Sequence, residues 1–196
     1  SSQKLKIIHH IFKSGDLQRV IIFSGKKERV KEVTRKLKSM HINCDQMHSD
    51  LSQAERDEAM FRFKAGKTDV LVATDIVARG IDIDDIRLVI NYDVPADVED
   101  YVHRIGRTAR ADRDGEAITF VSDADIYRFQ SIEHFLGKEV EKVPLPEGLG
   151  EAPAYTKREK KPTSRRNGRW HSKGHGKSKG KPNGKSSGKP KNKSYD

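Results

Sequence analysis

Short β-branched runs alternate with longer stretches of helical spacing along the first 145 residues, and this alternation constrains the fold more than any other feature. Arg19–Ser24 (RVIIFS), Asn43–His48, Asp69–Ala73 (DVLVA), Ile86–Tyr92 and Glu116–Val121 read as five strands. Between the strands, Lys26–Met40 places Val30, Val33 and Leu37 at helical spacing. Ser52–Gly66 opens on Ser52 and Glu55, a capping box, and closes on Gly66. Asp97–Ile105 carries acids in its first turn, and Asp123–Leu136 reads as a further helix. The order predicts an α/β domain with a mostly parallel sheet and helices on both faces. The unbroken apolar runs agree, because strands buried on both faces lose their alternation. Ligands of such sheets gather at the carboxyl ends of the strands. The residues to follow are therefore Ser24–Gly25, His48–Ser49, Thr74–Gly80 and Tyr92–Pro95.

The pattern stops after Pro144. Pro146, Gly148, Gly150 and Pro153 predict a linker over 146–156. Residues 157–196 are mainly Lys, Gly, Ser, Pro and Asn, a composition that cannot bury enough surface to offset its ordering entropy, so a disordered tail is expected. Charge divides along the same boundary. Residues 151–196 hold 15 Lys and Arg against 3 acids, a net of +12. Set against chain totals of 39 and 29, that leaves 24 basic and 26 acidic residues in 1–150, a net of −2. The excess positive charge therefore sits in the tail, where it suits a polyanion.

Cys44 is the one cysteine, which rules out an intrachain disulfide and a zinc site built on cysteines. No apolar run approaches the roughly 18 residues that a membrane span needs. Residues 1–15 lack a signal-peptide pattern, and the chain begins without Met. We read it as a piece of a cytoplasmic, monomeric protein with no membrane contact.

The densest chemistry lies in Tyr101–Arg110, YVHRIGRTAR. His103, Arg107 and Arg110 follow at i, i+4 and i+7, on one face of a helix or helical turn. Two guanidiniums side by side suit a triphosphate or a nucleic-acid backbone. Taken alone, the spacing equally fits a solvated basic face, or arginines paired with the acids of 97–100, and His103 fits a satisfied buried histidine. In the tail, Arg165, Arg166, Arg169 and Trp170 set an indole among arginines, a combination that holds single strands by charge and stacking. Its bland alternative is a solubilising linker. Gly66-Lys67-Thr68 imitates the end of a phosphate-binding loop, but Phe61 stands where the full pattern needs glycine, and a strand follows instead of preceding it. It reads as a helix C-cap and turn.

HRIGRTAR (103–110) resembles motif VI of the DEAD-box RNA helicases, H-R-x-G-R-x-x-R. The resemblance extends in order and spacing over residues 1–145: RVIIFS (19–24) is similar to motif IV, LSQAERD (51–57) to motif IVa, VLVATDIVARGIDID (70–84) to motif V, and VINYDVP (89–95) to the segment before motif VI. It implies the second, C-terminal RecA-like half of an ATP-dependent RNA helicase, acting with Mg²⁺ held by an N-terminal RecA-like half. This chain has no Walker A loop and no Asp-Glu-Ala-Asp, so the fragment alone is expected to be inactive. By position, Arg107 and Arg110 resemble arginine fingers on the γ-phosphate, and Gly80 and Asp82 resemble the pair at the ATP ribose. Ser24, Gly25, Ser49, Arg56, Thr74 and Asp75 resemble residues that line the RNA backbone in that family. Gln53, Arg79 and His103 resemble residues that couple the two sites or the two halves. Read locally, Gly80 and Asp82 are a turn glycine and a cap, Arg79 a surface ion pair, and Arg56 a partner of Asp57 or Glu55. Two departures stand out: Ala109 where the family usually has Gly, and Ser49 within His48-Ser49-Asp50 where it often has His-Gly-Asp. The basic tail points to the RhlE-like bacterial subgroup and to a role in tethering RNA. A different class, a non-catalytic RNA-binding or protein-docking module on the same fold, stays open at this point.

Overall fold

Val20–Phe23 (β1), Cys44–Met47 (β2), Val70–Ala73 (β3), Leu88–Asn91 (β4) and Glu116–Thr119 (β5) form one sheet in the order β2-β3-β1-β4-β5. Every pairing is parallel, with Val20 opposite both Val70 and Leu88. The computed structural model describes residues 2–13, 15, 18–78, 86–108, 115–152 and 154–156, all within a compact unit of residues 1–159. Helices are Ser2–Lys13 (α1), Lys27–Ser39 (α2), Gln53–Lys64 (α3), Asp75–Ala78 (α4), Val98–Ile105 (α5) and Ile126–Leu136 (α6), the last preceded by a 3₁₀ turn at Asp123–Asp125.

Successive strand residues point to opposite faces, and each face has its own helices. Val20, Ile22, Val70, Val72, Leu88 and Ile90 pack with Leu5 and Ile8 of α1 and with Val30, Val33 and Leu37 of α2. Ile21, Phe23, Leu71, Ala73 and Val89 pack with Ala59 and Phe63 of α3 and with Val77 of α4. β1, β3 and β4 are thus covered on both sides, which is why their sequences run apolar without a break. The sequence reading placed no element at α1. Leu5, Ile8 and Phe12 recur there at helical spacing, and burial of Leu5 and Ile8 stabilises the sheet by about 1.5–3 kcal/mol each.

Local signals set the helix ends. Ser52 accepts from the Glu55 amide while the Glu55 carboxylate accepts from the Ser52 amide, the reciprocal capping box. Gly66 takes a left-handed φ of 69°, with the amides of Gly66 and Lys67 donating to the carbonyls of Phe63 and Arg62. That is a Schellman stop, so Gly66-Lys67-Thr68 closes a helix and holds no phosphate loop. α2 stops the same way with a poorer residue: His41 carries φ 60°, and the amides of His41 and Ile42 donate to Lys38 and Leu37.

The segment read as a linker lies against the domain. Tyr155 stacks edge-on to Phe129 of α6, their centroids 6.4 Å apart, and joins the cluster of Tyr101, Phe129 and Ile132. The Tyr155 hydroxyl donates to Glu133 at 2.5 Å, the Val140 amide at 2.8 Å, and Lys142 completes the set. Gln130 donates to the Thr156 carbonyl and Gln3 of α1 to that of Leu149. Residues 140–152 and 154–156 therefore strap the domain, meeting α6 at Val140, α1 at Leu149 and α6 again at Tyr155 and Thr156.

Candidate functional site

One buried arginine ties the carboxyl ends of the central strands together. Arg104, on the inner face of α5, is 3% exposed. Its Nε and Nη2 donate to the two carboxylate oxygens of Asp75 at 2.5 and 2.6 Å. Its Nη1 donates to Asn91 Oδ1 at 3.1 Å and to the Asp93 carbonyl at 3.0 Å, and its guanidinium lies 5.3 Å from the centroid of the Phe23 ring. A guanidinium taken out of water needs this full set of acceptors, and the forked pairing suits the planar group. Fully buried Asn91 extends the network, donating to Thr119 Oγ1 of β5 at 3.0 Å.

The sequence reading passed over Arg104. Its signal was available: with Val98 and Tyr101 it continues the inward stripe of α5, and a charge on such a stripe demands a buried partner.

The other expected site residues surround this knot. Ser24, at the end of β1, is fully buried, and its hydroxyl donates to Asp93 Oδ2 at 2.7 Å. Asp93 also lies 3.6 Å from Lys4, which donates to the Tyr92 carbonyl at 2.7 Å. The side chains of Ser24 and Asp75 are thus committed within the domain, while Gly25 is exposed with open space around it. Thr74 is half-buried, its amide donating to the Met47 carbonyl at 3.1 Å. Ser49 is exposed in the turn after β2.

That turn has its own electrostatics. Asp50 pairs with Lys27 and Lys31 of α2, both at 2.6 Å, and these two ammoniums pull its carboxyl down to about 2. His48, 1% exposed, accepts the Asp50 amide at Nδ1 over 3.3 Å, and burial pushes its imidazole below the ordinary value. Gln53 and Arg56 form one hydrogen-bonded run on α3. Arg56 Nη2 donates to Gln53 Oε1 at 2.8 Å, and Gln53 Nε2 donates to Asp57 at 2.7 Å. Arg56 therefore reaches Asp57 through Gln53, not directly.

His103 is exposed, which removes the buried-histidine reading, and Arg107 is half-buried in the turn after α5. That turn is held by the Arg107 and Thr108 amides on the carbonyls of Arg104 and Ile105. Arg104 of the buried knot and Arg107, expected to face phosphate, are thus three residues apart on one chain segment. Arg79, Gly80, Asp82, Arg110, Arg165, Arg166, Arg169 and Trp170 lie outside the described residues, as do positions 109 and 157–196.

Residues 3–112 match the model of the helicase conserved C-terminal domain, and the chain belongs to that family. Within it, the motifs and relatives place the domain among the C-terminal, RecA-like halves of DEAD-box RNA helicases. It is 40% identical over 145 residues to the ATP-dependent RNA helicase eIF4A of Candida albicans, covering 74% of this chain and 36% of that protein. The chain thus spans little more than a third of the length of that curated relative. It also superimposes on the E. coli DEAD-box protein SrmB bound to the regulator of ribonuclease activity A, with a TM-score of 0.66 and 38% identity over 71% of this chain and 82% of that one. S. cerevisiae Dbp5 bound to RNA and ADP BeF3 aligns with a TM-score of 0.65 and 34% identity over 70% of this chain and 37% of that one.

Proposed function

We propose that this domain is the C-terminal half of an ATP-dependent RNA helicase that closes on an N-terminal RecA-like half and remodels RNA duplexes as it does so. Arg107 and Arg110 reach the γ-phosphate of ATP held mainly by the other half, with Gly80 and Asp82 at the ribose. RNA runs over the strand ends, against Gly25, Ser49, Arg56, the Thr74 hydroxyl and Asp75, while Ser24, expected to meet RNA as well, is fully buried with its amide on the Ala73 carbonyl and supports Gly25 from within the domain. Gln53, Arg79 and His103 couple the two. Mg²⁺ belongs to the N-terminal half and would neutralise phosphate charge there. Chemistry of this kind depends on positioning and on charge stabilisation, which is what arginines on a rigid support supply.

The observation that carries the reading is the Arg104 knot. Arg104 and Arg107 sit three residues apart on one turn, and Arg104 is locked to Asp75 at the start of α4. This link supports a coupling between the strand-end segment expected to meet RNA and the segment expected to meet ATP.

The basic tail tethers RNA near the core and raises its effective concentration. Its composition supports the RhlE-like subgroup, while the curated relative described above is fungal. Cytoplasmic location and a monomeric state complete the proposal. Among the described residues no helix is long and apolar enough to cross a membrane.

The test is ATP turnover with and without RNA, for this chain alone and for the protein that includes its N-terminal half. The chain alone should be inactive and the longer protein RNA-stimulated. Robust turnover by residues 1–196 free of contaminants would overturn the division of labour.

A further inference from the structure

Gly115 immediately precedes β5, where the backbone comes back against the turn that ends α5. A Cβ built on Gly115 would lie 2.5 Å from Thr108 Cβ, 2.5 Å from the Thr108 carbonyl oxygen and 3.0 Å from its carbonyl carbon. Two of those three atoms are backbone, so no rotamer change relieves the overlap. Thr108 has little room to retreat. It is buried, its amide donates to the Ile105 carbonyl at 3.1 Å, and its hydroxyl donates to the same oxygen at 3.0 Å. Gly115 is equally fixed on its far side, because the Glu116 amide donates to the Arg87 carbonyl at 3.0 Å beside β4. The contact is thus a backbone-to-backbone closure between the sheet and the residue next to Arg107.

The other described glycines are less tightly placed: an added Cβ at Gly106 would lie 3.1 Å from the Val102 carbonyl oxygen, and one at Gly150 would lie 3.4 Å from Gln3 Nε2. Gly25, Gly66 and Gly137 have nothing within 4 Å of an added Cβ. At Gly66 and Gly137 the φ values of 69° and 66° account for the residue. Gly115 has no positive φ among those recorded, so close approach, not backbone conformation, is its physical reason.

We infer that Gly115 is a positioning residue for Arg107: the missing side chain lets β5 seat the Thr108 turn, and that seat sets how far Arg107 extends from α5. The inference rests on the proposed role of Arg107 in ATP turnover. A side chain at 115 must push the Thr108 turn outward by the better part of an ångström to reach ordinary contact. A misplacement of about 1 Å in a group aligned for reaction lowers turnover about 100-fold. The loss should fall mainly on kcat, because a finger arginine on the γ-phosphate acts chiefly on the charge of the transition state, while ATP is held mainly by the other half.

The experiment uses the full-length protein as wild type, Gly115→Ala and Arg107→Ala. The readouts are RNA-stimulated ATPase (kcat and KM for ATP), RNA affinity without nucleotide, and Tm. Gly115→Ala should lower kcat about 10- to 100-fold, with KM and RNA affinity within about twofold of wild type. If Gly115→Ala does not fold, a single glycine inserted between Asp114 and Gly115 takes its place. It loosens the same closure without adding a Cβ and should lower kcat over the same range. Wild-type kcat in the folded variant, alongside a crippled Arg107→Ala, overturns the positioning role alone. A folded variant that loses RNA affinity or KM as much as kcat also overturns it. Wild-type turnover in Arg107→Ala removes the reading on which the inference rests.

Discussion

The guanidinium of Arg104 grips both carboxylate oxygens of Asp75, at 2.5 and 2.6 Å, across 29 residues of sequence. Replacing Arg104 with alanine leaves Asp75 without its partner and strips Asn91 and the Asp93 carbonyl of a donor. The expected cost is about 3–5 kcal/mol, the range for breaking a buried ion pair from one side. Arg104→Lys should recover only part of it, since an ammonium cannot make the forked contact. Chemical denaturation of this chain measures both. Alanine within about 1 kcal/mol of wild type would show that the knot is not a support.

His41 marks a place where the sequence is worse than the fold allows. It occupies the left-handed position after α2 with φ 60°, is exposed, and carries no side chain that the turn needs. His41→Gly should stabilise the domain by about 1 kcal/mol, because glycine adopts that conformation without the Cβ penalty. A lower midpoint in urea would contradict this.

The strap should be measurable through Tyr155. Tyr155→Phe keeps the ring against Phe129 and removes one hydrogen bond to the buried Glu133 carboxylate, for an expected loss of about 1.5 kcal/mol. Unchanged stability would mean that the strap's contacts contribute nothing net.

Acid should loosen the domain in two stages. Burial depresses His48, with Lys31 adding to the effect, so the folded imidazole stays neutral where the unfolded one, near 6.5, takes a proton. Its contribution is full above about 6.5 and is lost as pH falls through the folded value. Burial pushes Glu133 up, but the hydrogen bonds from Lys142, Tyr155 and Val140 outweigh it and hold the carboxyl below its ordinary 4.5. That contribution is present above the ordinary value and lost at still lower pH. His48→Gln should flatten the decline in Tm just below 6.5 and leave the later one. An identical profile would show that His48 does not titrate with folding.

How much of this was legible in the sequence follows the range of the forces involved. The β-branched runs announced β1, β3 and β4 because burial on both faces is a local demand, met residue by residue along each strand, whereas β2 (CDQM) and the largely exposed edge strand β5 carry that signal only weakly. Ser52, Glu55 and Gly66 announced the ends of α3 because caps act within four residues. The burial of Arg104 could be read from the stripe of α5, but its partners could not, because Asp75 and Asn91 lie on other elements and no periodicity names them. Tyr155 was hidden by the prolines and glycines around it: composition describes a segment's average, and one aromatic ring with one buried carboxylate was enough to dock it.

The tail yields a charge-specific prediction. Residues 1–150 carry a net charge of −2 and residues 151–196 a net of +12. If about 6–8 of the tail's cations neutralise phosphates together, log K for single-stranded RNA should fall against log salt with a slope of about −4 to −6. Trp170→Ala should cost about 1–3 kcal/mol of affinity if the indole stacks on a base. Equal affinity and equal salt slope for residues 1–150 and 1–196 would exclude the tail as the anchor.

The central claim is that this domain lends arginines to an ATP site completed by another domain. The most direct measurement is RNA-stimulated ATP turnover by the full-length protein carrying Arg107→Ala or Arg110→Ala, with RNA affinity measured in parallel without nucleotide. Each substitution should lower kcat by about 10³–10⁵-fold, as loss of a finger arginine does elsewhere, and leave nucleotide-free RNA binding nearly unchanged. Near-normal turnover in both variants would contradict the account.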